Sequence, residues 1–310
     1  MLIGAHVPDE DPLGEARDIG AEAIQMFLGN PQSFEKPKPR ADGEALRSGG
    51  IPIYVHAPYR LNVCHPSPRI RVPSRKTLGQ TADAAAEIGA AGVIVHGGHA
   101  EDDPAQGPTR WWKVFEEREF PVPILIENTA GGDNAVARYV VQLERLWERL
   151  AGFEVGFCFD TCHAHAAGEE LGDVVERVLK VTGRIDLLHC NNSRDAAGTG
   201  ADRHANVAAG QIDPGVILDM VRASRAPVVI FETPWPGASP GRAPPRGPRP
   251  TPRWRRCRLG WRRLGSCRPV GLGPQHPVGM LCPVVPPSRR ARRPALGHLD
   301  VRPTSLADWH

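Results

Sequence analysis

Residues 122–127 read VPILIE, a short apolar run that ends on a carboxylate. A nearly continuous run of Ile, Leu and Val is typical of a parallel strand that is buried on both faces. Seven further runs of this kind, separated by polar loops, cover residues 2–7, 23–28, 52–56, 92–96, 155–160, 185–189 and 228–232. Eight strands that alternate with helical segments predict a parallel α/β fold.

Helical periodicity occurs between several of these runs, as a parallel barrel requires. The clearest helix candidates are residues 74–88, 135–150, 169–181 and 214–223. No helical pattern follows the eighth run, although a complete barrel needs a helix there. We therefore predict an α/β TIM (β/α)₈ barrel over residues 1–235, with its final helix missing or replaced.

Residues 236–310 differ in composition from everything before them. They hold 15 of the 32 prolines, 15 arginines, no lysine and two aspartates, so they carry a charge of +13 and leave −10 on the preceding residues. Such a segment cannot build a packed core, and we predict a disordered Pro/Arg-rich tail. One interpretation is a basic nucleic-acid-binding extension. The compositional break favours the other, a shifted reading frame appended to a barrel cut short after its eighth strand.

The cellular location is predicted from what the chain does not contain. It shows no signal-peptide pattern at its start and no apolar run of the roughly 18 residues that a spanning helix needs. Its seven cysteines are scattered and form no CxxC pair. We expect reduced thiols, a cytoplasmic protein without membrane contact, and no obligate protein partner.

Six of the eight apolar runs end on a histidine or a carboxylate. In a parallel barrel these strand ends share one mouth, where barrel enzymes place their chemistry. The strand-terminal residues are His56, His96, Glu127, Asp160, His189 and Glu232. Three further candidates occur in loops at the same mouth, namely His163, Asp202 and His204.

Taken singly, a histidine after a strand is more often a satisfied loop or core residue, and an aspartate before a helix is usually an N-cap. Nine such groups in one cavity are different, because their desolvation would be costly without bound cations. Nine ligands imply two or three metal ions and at least one bridging carboxylate. Mixed imidazole and carboxylate ligands favour Zn²⁺, with Mn²⁺ or Fe²⁺ as substitutes.

Closely spaced metal ions suit phosphodiester hydrolysis, because they activate water and stabilise both the attacking and the leaving oxygen. The same ligand set could serve metal-assisted sugar isomerisation. The residue types therefore indicate a class of chemistry and leave the substrate open.

Eight ordered motifs resemble the successive signatures of the endonuclease IV family and cover almost all of residues 1–235. They are GAHV at 4–7, HAPYRLN at 56–62, VHGG at 95–98, IENTAG at 126–131, FDTCHAHAAG at 159–168, HCNNS at 189–193, GADRHANVAAGQI at 200–212 and ETP at 232–234. The nine candidate residues match the trinuclear zinc ligands of that family.

The resemblance implies three zinc ions. One would be held by His56, His96 and Glu127. Glu127 would bridge to a second zinc, which is also held by Asp160, His189 and Glu232. The third would be held by His163, Asp202 and His204.

The resemblance also implies the reaction, a step of base excision repair. A metal-bound hydroxide, oriented by Glu127 as the catalytic residue, would attack the phosphate 5′ to an abasic site in double-stranded DNA. The products would be a 3′-hydroxyl and a 5′-deoxyribose phosphate. A missing base loses less stacking when its nucleotide leaves the helix, which aids selection of the substrate.

Members of the family bend DNA with side chains from loops at the barrel mouth, and three residues here match or replace them. Tyr59 matches an aromatic wedge, and Arg60 stands where some members have leucine. Gln32 stands where an inserted arginine is common, so weaker distortion of the DNA is expected. The alternative for Tyr59 is a loop aromatic that packs on the rim.

Two further departures from the family pattern lie near the predicted ligands. Ala208 replaces a glycine, which could distort the turn that aims His204. Asn192 stands where Asp is usual, which could weaken a contact behind a ligand.

Two rival interpretations stay open. The first is a metal-dependent sugar isomerase or epimerase on the same barrel, although two metals normally suffice for that chemistry. The second is an inactive truncated product that binds nucleic acid only through its arginine-rich tail.

Overall fold

The computed structural model describes residues 1–132 and 134–233. Eight parallel strands close a barrel in the order β1-β10-β7-β6-β5-β4-β3-β2. The barrel strands are β1 Leu2–His6, β2 Ile24–Met26, β3 Ile53–His56, β4 Gly92–His96, β5 Ile124–Glu127, β6 Gly156–Asp160, β7 Leu187–His189 and β10 Val228–Phe231. The predicted barrel is confirmed, and all eight observed strands lie within the predicted runs.

Helices connect the strands and cover the barrel. They are α1 Pro12–Ile19, α2 Gly43–Ser48, α3 Pro68–Glu87, α4 Gln106–Glu116, α5 Val140–Leu150, α6 Thr161–Ala167, α7 Val174–Thr182 and α8 Pro214–Ser224. A two-stranded antiparallel hairpin, β8 Asn192–Ser193 with β9 His204–Ala205, follows β7 at the mouth. No helix in this described part of the chain is long and apolar enough to cross a membrane.

Three predicted helix starts are wrong. The helix predicted from residue 74 begins six residues earlier, at Pro68, because the Ser67 side chain caps it and proline suits the first helical position.

The other two helices begin five residues later than predicted. The helix predicted from residue 135 begins at Val140, since the Val136 amide donates to Gly98 of the loop after β4. The helix predicted from residue 169 begins at Val174. The short helix α6 precedes it, and the side chain of Asp160 accepts a hydrogen bond from the His163 amide at its N-terminus.

The predicted tail, its boundary at residue 236 and the missing final helix all lie outside the described residues. They stay predictions. The described barrel ends with the eighth strand, β10, and residues 232 and 233 that follow it.

Strand pleating explains why the interior of the barrel is apolar and why the predicted ligands lie in the next layer of side chains, at its mouth. The barrel interior is filled by a buried cluster of Ala23, Ile94, Leu125, Cys158, Leu187, Val228 and Ile230, against which Tyr54 packs. Side chains two residues apart on a strand point to the same face. Positions two residues further along these strands therefore also point inward, and they form the next layer, at the mouth.

Gly4 lets β1 approach its neighbours closely. A Cβ at this position would overlap the Ala23 carbonyl oxygen and would lie 2.8 Å from Ile230 Cδ1. The closed barrel therefore has no room for a side chain at this point.

We predict that Gly4→Ala lowers the free energy of unfolding by about 1–3 kcal/mol, the usual cost of overpacking a filled core. The matched control is Gly43→Ala, since the nearest atom to a Cβ there is 3.7 Å away. Chemical denaturation of both variants measures the difference. Equal midpoints for the two variants would contradict the predicted overlap.

Candidate metal centre

The nine predicted ligands converge at the mouth of the barrel. Six occupy inward positions at the ends of six barrel strands, β3 to β7 and β10, and three come from α6, the loop before β9 and β9 itself. Their possible ligand atoms form overlapping groups, within each of which all atoms lie within 4.8 Å of one another. These groups are His56–His96–Glu127, Glu127–Asp160–His189–Glu232, Asp160–His163–His204, His96–His163–Asp202 and one that pairs Cys158 with Glu127 and His189.

Glu127 lies at the centre of the site and is only 1% exposed. Its Oε2 is 3.2 Å from His56 Nε2 and 3.3 Å from His96 Nε2. Its Oε1 is 2.8 Å from His189 Nδ1. The two oxygens of one carboxylate therefore face two different sets of imidazoles, which is the arrangement of a bridging ligand.

A second group of atoms surrounds His189 on β7. Its Nδ1 lies 3.2 Å from Glu232 Oε2 and 3.8 Å from Asp160 Oδ2, in addition to the contact with Glu127. One imidazole nitrogen thus faces oxygens from three carboxylates that arrive on three different strands.

The third group shows most directly that a cation fits the site. Asp202 Oδ1 lies 3.1 Å from Nε2 of both His163 and His204. Within the described residues, neither Nε2 atom makes a hydrogen bond, although both are buried. A buried polar atom without a partner is costly. A divalent cation between these atoms would satisfy both nitrogens and the carboxylate together.

Hydrogen bonds on the far side of three of the five rings decide which nitrogen faces the cluster. His56 Nδ1 lies 2.7 Å from the Ala57 carbonyl oxygen, and His163 Nδ1 lies 2.7 Å from that of Asn128. A carbonyl oxygen can only accept, so these Nδ1 atoms carry the hydrogen and leave the Nε2 lone pair free. His189 is reversed, because its Nε2 faces Gln25 Oε1 at 2.7 Å and its Nδ1 faces the carboxylates.

Three amide side chains that sequence reasoning did not single out as site residues support the cluster. Asn128 donates to the Asp160 carbonyl and accepts from the Asp160 amide, at 3.0 and 2.7 Å. Asn191 donates to Asp160 Oδ2 at 2.7 Å and to Glu232 Oε2 at 3.0 Å. The third amide is that of Gln25. Its inward direction could have been predicted from the sequence, because it follows the interior residue Ala23 by two positions in the same apolar run.

The charges of the cluster balance only if its imidazoles bind protons or cations. Burial alone lowers the pKa of His163, but the carboxylates of Asp160 and Asp202 raise it well above its usual value. Burial also lowers the pKa of His189, and Cys158, Glu232 and the other carboxylates raise it well above 6.5. Without metal, the carboxylates therefore favour the protonated form of both rings.

The three predicted DNA contacts lie together on the rim beside β2 and β3. Tyr59 is 53% exposed, and its ring packs 5.0 Å from Phe27 and 5.5 Å from His56. Arg60 Nη1 lies 3.4 Å from the Gln32 carbonyl oxygen, and both residues are exposed. Tyr59 thus packs against a predicted metal ligand and also presents its ring to solvent.

Neither of the two departures from the family pattern near His204 strains the backbone or leaves a hydrogen bond unmade at its position. Ala208 lies in a 3-10 turn, Val207–Ala209, and does not adopt a positive φ. The side chain of Asn192 is directed away from the candidate ligands. Its Nδ2 donates to the carbonyl oxygens of Val207 and Ile212, each at 2.7 Å, which an aspartate could not do.

Comparisons with known proteins agree with this geometry. A family model described as a xylose isomerase-like TIM barrel matches residues 13–256. A Mycobacterium marinum protein named probable endonuclease 4 is 55% identical over 231 residues, which are 74% of this chain and 92% of that protein. A Mycobacterium tuberculosis protein with the same name is 54% identical over the same shares.

Two solved structures share the barrel fold. Endonuclease IV from Thermus thermophilus aligns with a TM-score of 0.68 and 28% identity, over 86% of this chain and 100% of that chain. A D-tagatose 3-epimerase-like protein aligns with a TM-score of 0.62 and 17% identity, over 75% of this chain and 91% of that chain. The second likeness shows the fold alone.

We predict that a divalent metal ion displaces protons when it binds to metal-stripped protein. The carboxylates raise the pKa values of His163, His189 and His204, which favours protonated rings that must lose a proton before they can bind metal. About two to three protons should be released near pH 7, and metal affinity should fall as the pH falls. Calorimetric titration in two buffers with different ionisation enthalpies measures the number.

The control for this titration is His99→Gln. His99 lies outside the cluster, and burial lowers its pKa, so it is neutral at pH 7 and should not change the proton count. Binding without proton release would show that the charge balance described above is wrong.

Proposed function

The chain belongs to the endonuclease IV family, and on that premise we propose that it hydrolyses the DNA backbone on the 5′ side of abasic sites in double-stranded DNA. The observation that carries the proposal is the position of Glu127, whose two oxygens face different imidazole groups. A bridging carboxylate is what a cluster of closely spaced metals requires, and such clusters suit phosphodiester cleavage.

Three zinc ions would be held by the nine ligands at the mouth. His56, His96 and Glu127 would hold one. Glu127, Asp160, His189 and Glu232 would hold the second, and His163, Asp202 and His204 the third. The mixture of imidazole and carboxylate ligands supports zinc, with Mn²⁺ or Fe²⁺ as substitutes. When bound, the ions would supply Lewis-acid activation of water and of the phosphate oxygens.

Glu127 would act as the catalytic residue by orienting the attacking water. Burial by itself raises the pKa of this carboxyl, but the imidazoles of His189 and His96 hold it well below its usual range. Glu127 is therefore an acceptor at neutral pH, and its Oε atoms can receive a hydrogen bond from water. Its burial prevents bulk water from competing for those oxygens.

Gln32, Tyr59 and Arg60 would contact the DNA from the rim. Tyr59 presents an aromatic face beside His56, where it could occupy the gap left by a missing base. The charge of −10 on the residues before the tail opposes binding to phosphates. Zinc ions at the mouth would offset four carboxylates at the place where the scissile phosphate must enter.

The likeness to the epimerase-like structure adds only the shared barrel to the sugar isomerase or epimerase alternative, since that structure is 17% identical. The relatives at 54–55% identity carry the name of an endonuclease. The two activities are separated by one observation: an epimerase would convert a ketose and would not show salt-sensitive DNA binding. The tail-only alternative is tested by deletion of residues 236–310. If that alternative holds, the full chain does not cleave DNA and the deletion abolishes its DNA affinity.

We predict that the purified protein contains zinc by elemental analysis and incises a duplex with one abasic site. Incision should stop when a chelator removes the metal, and should resume when zinc is restored. A duplex of the same sequence without the abasic site is the control. A folded, metal-free protein that still cuts would refute the proposal.

We predict that Glu127→Gln lowers the rate of incision by about 100-fold or more, because an amide cannot replace a bridging carboxylate. The matched control is Glu144→Gln, which makes the same change at an exposed position on α5. Single-turnover incision measures both variants. Equal rates for Glu127→Gln and the unmodified protein would remove Glu127 from the mechanism.

We predict that Tyr59→Ala lowers incision by about tenfold, the scale of one lost base-stacking contact. The zinc content should stay unchanged, because Tyr59 packs on His56 without holding it by a hydrogen bond. Tyr59→Phe keeps the ring and should keep most of the activity. Loss of zinc together with loss of activity would assign Tyr59 a structural role on the rim instead.

A further inference from the structure

Gln25 is a buried amide at the barrel mouth that the proposed reaction does not use. It lies on β2, two residues after the interior residue Ala23, and it is fully buried. A buried carboxamide must find partners for both its oxygen and its nitrogen. Its partners here are residues from three other strands of the barrel.

The oxygen and the nitrogen of Gln25 contact different predicted metal ligands. Its Oε1 faces His189 Nε2 at 2.7 Å. Its Nε2 donates to Glu232 Oε1 at 2.5 Å and lies 3.0 Å from His6 Nδ1. One side chain therefore holds a ligand of β7, a ligand at the end of β10 and the last residue of β1.

The neighbours leave the amide only one orientation. Glu232 Oε1 lies 2.5 Å from the Gln25 nitrogen, and the carboxylate of a metal ligand only accepts hydrogen bonds. His6 Nδ1 lies 3.0 Å from the same nitrogen, where its lone pair can accept the second hydrogen of the amide. The NH₂ group of Gln25 must face these two residues, and its oxygen must face His189.

This orientation has a consequence for His189. A carboxamide oxygen can only accept, so His189 Nε2 must carry the hydrogen. In the neutral ring that binds metal, the lone pair then lies on Nδ1, which faces Glu127 Oε1 at 2.8 Å and Glu232 Oε2 at 3.2 Å. In His56 and His163 the hydrogen is on Nδ1 instead, and a backbone carbonyl accepts it. Of these three rings, His189 is the one whose tautomer depends on a side-chain amide.

We propose that Gln25 is a positioning residue for the metal centre, which fixes the Nε2–H tautomer of His189 and the orientation of Glu232, with His6 holding the amide in place. The inference rests on the proposed metal site and not on the identity of the DNA substrate. Contacts behind metal ligands set ring orientation and ligand basicity, and their loss typically costs 10–100-fold in metal affinity.

The first test is the zinc affinity of Gln25→Leu, measured by competition with a chromophoric chelator. Affinity for the most weakened zinc should fall by about 10- to 100-fold relative to the unmodified chain. The matched control is Gln142→Leu, because Gln142 Oε1 also accepts two hydrogen bonds, from the Arg138 and Tyr139 amides at the start of α5. That variant should lose stability and keep its zinc affinity.

The second test observes the tautomer directly. In the zinc-loaded protein with ¹⁵N-labelled histidine, the His189 Nε2–H should give an exchange-protected NMR signal. Gln25→Glu keeps an acceptor for this hydrogen and should keep the signal, whereas Gln25→Leu should lose the protection. Gln25→Met, which preserves side-chain length, takes the place of Gln25→Leu if circular dichroism shows that the latter is unfolded.

Zinc affinity equal to that of the unmodified chain in the apolar variant, or a protected His189 signal that survives in it, would overturn the inference. The result is separable from the proposed function. A protein that binds zinc in a Gln25-dependent manner but does not incise abasic-site DNA would retain the positioning role and lose the nuclease. If the protein incises abasic-site DNA but its zinc affinity does not depend on Gln25, the nuclease function is retained and the positioning role is lost.

Discussion

The structure depends on the electrostatic balance among four carboxylates and five imidazoles in a cavity from which most water is excluded. Ionised carboxylates cannot be buried side by side without compensating positive charge. Some imidazoles can supply it by holding protons, since the neighbouring carboxylates raise the pKa values of His163 and His189. Divalent cations would supply it more strongly. Among the described residues, the Nε2 atoms of His163 and His204 make no hydrogen bond, although each lies 3.1 Å from Asp202, and a cation between them would complete the balance.

The geometry of the barrel places these charged side chains together at its mouth. Each strand places an apolar side chain in the interior and, two residues later, a polar one at the mouth, as Leu125 and Glu127 do. The rigid core fixes the strand ends, and amides such as Asn128 and Asn191 then fix the side chains. The precision of the centre therefore comes from an apolar layer below it and a layer of hydrogen bonds around it.

Much of the fold was predictable because burial on both faces leaves a strong local pattern. Each observed strand falls inside an apolar run, and the strand ends that carry the candidate ligands were correctly located. Helix boundaries were less predictable. The start of α5 at Val140 is set by a contact between Val136 and Gly98, which lie 38 positions apart, and no local periodicity reports such a contact.

The sequence by itself determined which residues reach the mouth, because the two-residue period of a strand and the direction of a parallel barrel follow from local chemistry. Only the tertiary structure decided how those residues meet. Gln25 and His189 are 164 positions apart, and their hydrogen bond exists because the closed barrel lets side chains of β2 and β7, which are not neighbours in the sheet, meet in its interior. Barrel closure likewise decides which oxygen of Glu127 each imidazole faces, since these distances depend on strand register and not on neighbours in the chain.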